Sequence, residues 1–293
     1  LHSGEYPTIT CFNSMGWIRS SLATVYMDFE VLPQNKEFQL VDNAGKSIRI
    51  QPLQSRREGR YYAIYAEDVP AMGYKTYNIV IGDKNAATLS PSSLIGNVLE
   101  NQYYCITFNS ENGTITSLYD KELNKEMVDR DSPWQLGAFI YEKLADRNQM
   151  ERYTTDRFER TGLSNVRLTP GVSGEIYQSV NVRGKAPGID PNFGMRAEVK
   201  LFNNIKRIEF AFSIKRLAET GPTGIYVAFP FALDNGKLAF EVQGGIVYPG
   251  ENQLEGTASD WNTVQNFAAV RNDQAQFIFG SNEVPLMQLG DLL

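Results

Sequence analysis

Histidine is almost absent from this chain of 293 residues, since the one histidine is His2. Cysteine is also rare, and the two cysteines, Cys11 and Cys105, are far apart in sequence. Zinc hydrolases bind their metal through several His, Cys or carboxylate ligands, and serine or cysteine nucleophiles need a base to activate them. We therefore expect neither an ordinary zinc site nor a histidine-assisted nucleophile in this chain. Both cysteines stand in apolar, strand-like segments, which favours two buried thiols, although a disulfide would require only that they lie close in space.

Long apolar runs are missing as well. No stretch reaches the ~18 apolar residues of a membrane-spanning helix, and Pro230 interrupts the most apolar run, residues 225–233. The N-terminus has no basic region followed by an apolar one, so no signal peptide is visible. The chain begins at Leu1 rather than at a methionine, and we expect both ends to be cut from a longer polypeptide. The sequence predicts no membrane partner and leaves the localisation unknown.

Positive charge is in slight deficit. The 28 Lys and Arg against 34 Asp and Glu give a net charge of −6, and the pI is about 5.1. A mildly acidic chain repels phosphate backbones, so we predict no nucleic-acid partner. No Walker loop and no dinucleotide-binding fingerprint is present.

Aromatic residues and turn formers are abundant, and they favour an all-β fold. Aromatics make up 12% of the chain, with 24 Gly and 13 Pro, and alternation of apolar and polar residues is far commoner than helical periodicity. We predict a small β-sandwich over residues 1–95 and a large one over residues 96–293. The polar segment 83–97 is either the linker between them or a long surface loop.

Two segments show the local pattern most clearly. Residues 104–119 alternate around a turn at 109–113 and predict a hairpin. Asn112-Gly113-Thr114 also matches a glycosylation acceptor, but Asn-Gly is a favoured hairpin turn, and we prefer that interpretation. The polar segment 145–160 is the one helix candidate, and a disordered loop is the alternative.

Carboxylates are the remaining candidates for chemistry, because glycoside hydrolysis uses a pair of them. No spacing among the 34 acids singles out a pair. Glu142 follows the aromatic segment 139–141 and is the one acid for which a pocket-facing position is weighed, as a minority alternative, whereas Glu122 and Glu126 are expected to be exposed. An all-carboxylate calcium site is also conceivable, but we prefer surface acids for its candidates, Asp129, Asp131 and Asp260.

A series of short motifs then becomes recognisable in chain order. They resemble the β-region that follows the barrel and helical bundle in glycoside hydrolase family 38, the α-mannosidases. The motifs are CFNSMGW at 11–17, VPAMGYKTY at 69–77, LENQYY at 99–104, GTITSLYDKELNKEMVD at 113–129, SPWQLG at 132–137, FPF at 229–231, ASDW at 258–261 and VQN at 264–266.

This resemblance implies a fold and a division of labour. The implied fold is a small β-sandwich followed by a large β-supersandwich of the galactose-mutarotase-like kind. In the family, the carboxylate nucleophile, the acid/base group and a zinc held by His and Asp belong to an N-terminal barrel, which would precede Leu1. We therefore expect no catalytic residue, no metal ligand and no cofactor in this chain. Zinc is implied for the missing barrel, and the expected partners are that barrel and α-mannoside glycans.

The resemblance also suggests which residues approach the sugar. A loop of the family's large β-domain reaches over the barrel's active site and offers an aromatic hydroxyl, and residues 137–141 match that loop here. Phe139 stands where some members have Tyr, so position 139 itself offers no hydroxyl, and Tyr141 is the alternative donor. The remaining substrate-contact candidates combine aromatic faces with amides and are Trp134, Gln135, Trp261 and Gln265.

Three roles follow from these observations. The chain either buttresses an α-mannosidase barrel and lends it a loop, or binds carbohydrate by itself, or serves as a purely structural sandwich. Packing in the core or between domains is the alternative interpretation of the contact candidates, and Trp17 is expected to lie in the core.

Overall fold

The computed structural model describes residues 7–81, 89–151, 156–256, 261–281 and 283–290. Strands dominate it, as the alternation predicted, and the all-β prediction is confirmed. The first eight strands are β1 (Thr8–Asn13), β2 (Arg19–Asp28), β3 (Phe38–Val41), β4 (Ser47–Ile48), β5 (Ile50–Ser55), β6 (Gly59–Val69), β7 (Gly73–Ile81) and β8 (Ser90–Pro91).

The middle of the chain continues in the same manner. It contains one short helix, α1 (Asn148–Glu151), between strands. The strands are β9 (Val98–Glu100), β10 (Tyr104–Phe108), β11 (Ile115–Asp120), β12 (Lys125–Glu126), β13 (Phe139–Leu144), β14 (Phe158–Thr161), β15 (Ser164–Ser173), β16 (Tyr177–Lys185), β17 (Met195–Phe202) and β18 (Ile208–Ser213).

The last part of the chain supplies shorter strands. They are β19 (Thr223–Val227), β20 (Lys237–Val242), β21 (Gly245–Val247), β22 (Trp261–Thr263), β23 (Ala268–Arg271), β24 (Gln276–Phe279) and β25 (Leu286–Gln288). No helix in the described ranges is both long enough and apolar enough to cross a membrane.

The chain divides into two compact units that alternate along the sequence. The first comprises the described parts of Leu1–Gln102 with Leu168–Val182 and Arg196–Ser213. The second comprises those of Tyr103–Arg167, Arg183–Met195 and Ile214–Leu293. The predicted boundary near residue 95 stays a prediction, and part of the proposed linker, residues 82–88, lies outside the described residues.

The first unit contains a sandwich of two antiparallel sheets. One sheet has the order β1-β7-β3-β4 and the other β2-β6-β5. Their inward side chains form one core, to which the first sheet gives Leu40 and Tyr77 and the second gives Met27 and Ile64. Successive side chains of a strand point to opposite faces of the sheet. Every second side chain of each sheet therefore points towards the facing sheet and packs in the core.

Strand β6 is buried on both of its faces. Ile64 points into the sandwich core, whereas Ala63 belongs to a second cluster with Ile176, Tyr177 and Phe202. The fully buried Gln51 of β5 holds this second layer, since its Oε1 accepts hydrogen bonds from Ile176 N (3.0 Å) and Tyr177 N (2.9 Å). A strand covered on both faces loses simple alternation, and β6 is accordingly apolar at successive positions.

The second unit contains the predicted hairpin and the sheets that carry most of the candidate site residues. Strands β10 and β11 pair from Tyr104–Asp120 to Phe108–Ile115, which confirms the hairpin. Gly113 in its turn has φ +75°, the left-handed region that glycine favours. The other sheets of this unit have the orders β14-β13-β19, β21-β20-β23-β24 and β22-β25.

The helix predicted for residues 145–160 is largely wrong. Only Asn148–Glu151 is helical, residues 152–155 lie outside the described part, and Phe158–Thr161 is strand β14, paired with β13. The buried Gln149 explains the change of direction, because its amide donates to Arg157 O (2.9 Å) and accepts from Arg157 N (2.8 Å). A side chain that hydrogen-bonds with backbone N–H and C=O groups in this way competes with continuation of the helix.

Candidate functional site

The two faces of strand β13 have different chemistry. Pairing places Glu142 opposite Arg160 of β14 and opposite Gly224 of β19, while Ile140 lies opposite Tyr226. Because side chains alternate across a sheet, Ile140, Glu142, Arg160 and Tyr226 share one face. Phe139 and Tyr141 belong to the other face.

Glu142 is the centre of a hydrogen-bonded charge cluster rather than a free acid. Arg160 Nε donates to Glu142 Oε2 over 2.6 Å, and the Tyr226 hydroxyl donates to Glu142 Oε1 over 3.0 Å. The side chains of Glu142 and Arg160 are only 14% and 16% exposed. The carboxylate therefore has a cation and a phenol as fixed partners, which an acid that acts as a nucleophile or proton donor would have to give up.

An aromatic stack lies beside this cluster. The rings of Tyr226 and Trp261 have centroids 5.5 Å apart at an interplanar angle of 31°. Gly224 makes room for the Tyr226 ring, since an added Cβ at Gly224 would lie 2.7 Å from it. Trp261 remains 45% exposed, so the stack covers part of the indole and leaves the rest at the surface.

Phe139 and Tyr141 are both buried, with 3% of each residue exposed. The Tyr141 hydroxyl donates to Glu219 Oε2 (3.2 Å), and Lys143 Nζ is 3.1 Å from Glu219 Oε1. Burial, followed by the charge of Glu219, raises the pKa of the Tyr141 phenol, and the hydrogen bond and charge of Lys143 lower the pKa of Glu219. In the described structure the Tyr141 hydroxyl thus binds a neighbouring carboxylate, and its contact with a sugar stays a prediction.

Trp134 and Gln135 occupy a third place. Both are half-buried, and the Trp134 ring lies beside Gly162, where an added Cβ would be 3.7 Å away. Thr114 Oγ1 donates to Gln135 Oε1 and is 2.7 Å from Asn112 Oδ1. Gln135 therefore anchors the turn of the β10–β11 hairpin, which is a structural role that the sequence did not reveal.

Gln265 is exposed and lies on the segment that follows β22. Its backbone N–H donates to Glu241 O of β20 over 2.9 Å. Of the six contact candidates, Trp261 and Gln265 are the two that the structure leaves exposed. Whether any of the six contacts a sugar stays a prediction.

Several other expectations have a clear outcome. Trp17 was expected in the core, and this is wrong, because it is 60% exposed. The cysteines Cys11 and Cys105 are half-buried thiols and form no disulfide. Glu126 is half-buried rather than exposed, and its Oε1 accepts from Leu118 N (2.9 Å) while Ser117 Oγ donates to its Oε2 (2.6 Å).

The metal candidates give no site. Asp129 Oδ1 accepts the backbone N–H of Asp131 (3.0 Å) as in a turn, and His2 and Asp260 lie outside the described residues. Across the residues that the structure describes, no three or more His, Cys, Asp or Glu side chains converge. That the chain carries no cofactor stays a prediction.

Arg160, Tyr226 and Glu219 are the partners that sequence analysis missed. Arg160 was hidden in the segment assigned to a polar helix, and Tyr226 in an apolar strand segment. Alternation within residues 158–161 predicts which of their side chains share a face. Placing Arg160 beside Glu142 also requires the pairing between β13 and β14. The missing information was the register between strands rather than any property of the residues.

These features define an all-β protein of antiparallel sandwich sheets in which Tyr226 of one sheet supports the exposed Trp261 of another. Residues 99–277, more than half of the chain, match the model of the glycosyl hydrolases family 38 C-terminal domain. The chain therefore belongs to this family, and the resemblance seen in the motifs is confirmed.

A solved structure supports the fold. The crystal structure of an alpha-mannosidase from Enterococcus faecalis V583 superposes with a TM-score of 0.59 at 13% sequence identity, over 92% of this chain and 37% of that one. This chain thus spans little more than a third of that protein. No curated protein matches the chain.

Proposed function

We propose that this chain is the non-catalytic C-terminal β-region of a retaining α-mannosidase. In this proposal a zinc-dependent barrel elsewhere in the parent polypeptide hydrolyses terminal α-mannosides through a covalent glycosyl-enzyme. The present chain buttresses that barrel and lends a loop to its sugar pocket. The segment that the resemblance suggested for this loop, residues 137–141, instead enters the central strand β13 and buries Phe139 and Tyr141. The observation that carries the proposal is the family match over residues 99–277.

An exposed apolar cluster in the first unit supports a packing partner. Five large apolar residues that are 60–78% exposed occupy neighbouring positions of the β1–β7 pair and the loops at its end: Phe12, Trp17, Ile18, Met72 and Tyr74. At 150–250 Å² for each buried aromatic, the cluster offers several hundred Å², the size of patch that marks interaction sites. We propose that the catalytic barrel of the parent covers it.

The cluster is held in place by one buried amide. Asn13 Nδ2 donates to Trp17 O (2.8 Å), Val69 O (3.0 Å) and Pro70 O (3.0 Å), which ties the loop after β1 to the turn before β7. The Phe12 and Tyr74 rings, on paired residues, are 5.5 Å apart. This ordering lowers the entropy that a partner would have to remove on binding.

Turnover tests the division of labour. The 293-residue chain alone and the same chain fused behind a family 38 barrel are assayed on an aryl α-mannoside with zinc. We expect turnover from the fusion only. Sustained turnover by the chain alone would contradict the proposal, and fusion activity that is unaffected by Trp17→Ser with Met72→Ser would contradict the packing surface.

A second function, carbohydrate binding by the chain itself, is favoured by the exposed part of Trp261 over Tyr226. Aromatic faces stack on the C–H face of a sugar ring. Saturable binding of mannose or manno-oligosaccharides to the isolated chain supports this function, and its absence favours a purely structural role.

A further inference from the structure

Strand β22 and the residues after it expose every second side chain. Over residues 261–265, Trp261, Thr263 and Gln265 are exposed, while Asn262 and Val264 are buried. At about 3.3 Å per residue, successive exposed side chains are about 7 Å apart and the row spans about 13 Å. Val264 N donates to Pro285 O (2.8 Å), which continues the β22–β25 pairing and keeps the row extended.

The far end of this row meets the β20–β21 hairpin. The bond from Gln265 N to Glu241 O places Gln265 next to the end of β20. Val242 pairs with Gly245, so Gln243 and Gly244 form a two-residue turn, in which Gly244 has φ +82°. One open hollow is lined by Val242, Gln243, Thr263 and Gln265. Trp261 precedes Thr263 by two residues and is exposed on the same side of β22.

The polar groups of the row are uncharged and available. Within the described residues the side chains of Gln243, Thr263 and Gln265 form no hydrogen bond with the protein. Two amides and one hydroxyl provide both donors and acceptors, which is what neighbouring sugar hydroxyls require. An indole at one end provides the apolar face that a pyranose ring needs.

The indole also has a fixed support. Tyr226 backs the Trp261 ring, and the Tyr226 hydroxyl is bonded to Glu142, which Arg160 neutralises. A platform that is already ordered loses little entropy when a ligand binds. Tyr226 is therefore a positioning residue for Trp261 and does not itself need to touch the ligand.

We propose that Trp261, Thr263, Gln265 and Gln243 form a binding row for a neutral di- or trisaccharide. One pyranose ring stacks on Trp261, and the next ring hydrogen-bonds with the hydroxyl and amides of the hollow. The absence of charge in these four side chains selects against phosphorylated and acidic sugars. The choice of mannosides as the first probe rests on the proposed function, whereas the row itself rests on the geometry.

Calorimetric titration and tryptophan fluorescence of the 293-residue chain test the row with linear α-mannotriose, maltotriose and digalacturonate. We expect saturable binding of at least one neutral trisaccharide. Trp261→Ala should weaken it about tenfold or more, and Thr263→Val and Gln265→Ala about threefold to tenfold each, the effect of one net hydrogen bond. Trp261→Phe, which keeps an aromatic face, should retain part of the affinity.

The matched control is Trp17→Ala, which removes another exposed tryptophan from the first unit and should leave the affinity within about twofold. Thermal unfolding establishes that each variant is folded. Lack of binding by the wild-type chain, unchanged binding by Trp261→Ala, or tighter binding of digalacturonate would each overturn the row. Turnover of the barrel fusion is measured separately, so a failed mannosidase assay with intact binding rejects the proposed enzyme and not the row.

Discussion

The Tyr226 hydroxyl donates a 3.0 Å hydrogen bond to Glu142 Oε1, and the same tyrosine ring supports Trp261. Burial and then the negative charge of Glu142 raise the pKa of the phenol, so it stays a donor at all ordinary pH values. An aromatic stack at the surface is in this way connected to an ion pair on the sheet. The connection gives separate predictions for the phenol and for the ion pair.

Removing the phenol oxygen by Tyr226→Phe should destabilise the chain by about 1–2 kcal/mol. Glu142 would keep Arg160 but lose a partner, and hydrogen bonds to charged groups contribute about 1.5–3 kcal/mol when well buried. The ring contact with Trp261 would remain. Urea unfolding measures the change, and Tyr26→Phe, at a tyrosine that is 40% exposed, should change the stability by less than about 0.5 kcal/mol.

Neutralising the ion pair by Glu142→Gln should cost about 2–3 kcal/mol. It leaves the Arg160 charge at a site where its side chain is only 16% exposed, and breaking a buried pair by removing one partner is costly. Glu67→Gln is the control, because the Lys46 and Arg49 side chains that it pairs with are 65% and 47% exposed. Exposed pairs contribute about 1 kcal/mol or less, and equal losses in the two variants would contradict the distinction.

Replacing the buried amide by Gln51→Ala should destabilise the chain by about 2–4 kcal/mol. The backbone N–H groups of Ile176 and Tyr177 would both lose their acceptor, and each buried unsatisfied group costs about 1–3 kcal/mol. Gln54→Ala, at an exposed position of the same strand, should be nearly neutral. Chemical denaturation of the two variants side by side provides the measurement.

Acid should remove a contribution that Glu126 makes. Burial alone would raise the pKa of this carboxyl, but hydrogen bonds from Ser117 Oγ and the backbone N–H groups of Leu118 and Val128, with the charge of Arg130, bring it below its ordinary value of 4.5. A lowered pKa in the folded state stabilises the fold above pH 4.5, and this contribution disappears as the pH falls through the folded pKa.

Unfolding free energies between pH 6 and pH 3 should therefore decline less in Glu126→Gln than in the wild-type chain. Ser117→Ala, which removes one of the hydrogen bonds to Glu126 (2.6 Å), should give an intermediate slope. Parallel curves for the wild-type chain and Glu126→Gln would show that this carboxyl makes no such contribution.

The local sequence pattern was sufficient to predict most strands and the family. The hairpin from Tyr104 to Asp120 is set by neighbouring residues, since alternation and an Asn-Gly turn act within a short distance. The family followed from motifs that keep their order over nearly the whole chain. The helix expected at 145–160 failed because Gln149 and the pairing of Phe158–Thr161 with β13 outweighed a weak helical pattern.

The arrangement of the candidate site could be predicted only in part from the local sequence pattern. Alternation alone indicates that Phe139 and Tyr141 share a face and that Glu142 lies on the other. It does not indicate that Trp261, more than a hundred residues later, belongs with Glu142 through Tyr226. The six contact candidates were grouped by their chemistry, and the structure distributes them over separate places.

The sequence by itself determined the strand periodicity, the scarcity of metal ligands and the membership of family 38, because each depends on residue type or on short-range order. Only the tertiary structure decided that Trp17 is exposed, that Glu142 is paired with Arg160, and that Trp261, Thr263 and Gln265 form a row beside Gln243. These depend on register and packing between distant strands, where the same alternation permits many pairings and the burial of the whole chain selects one.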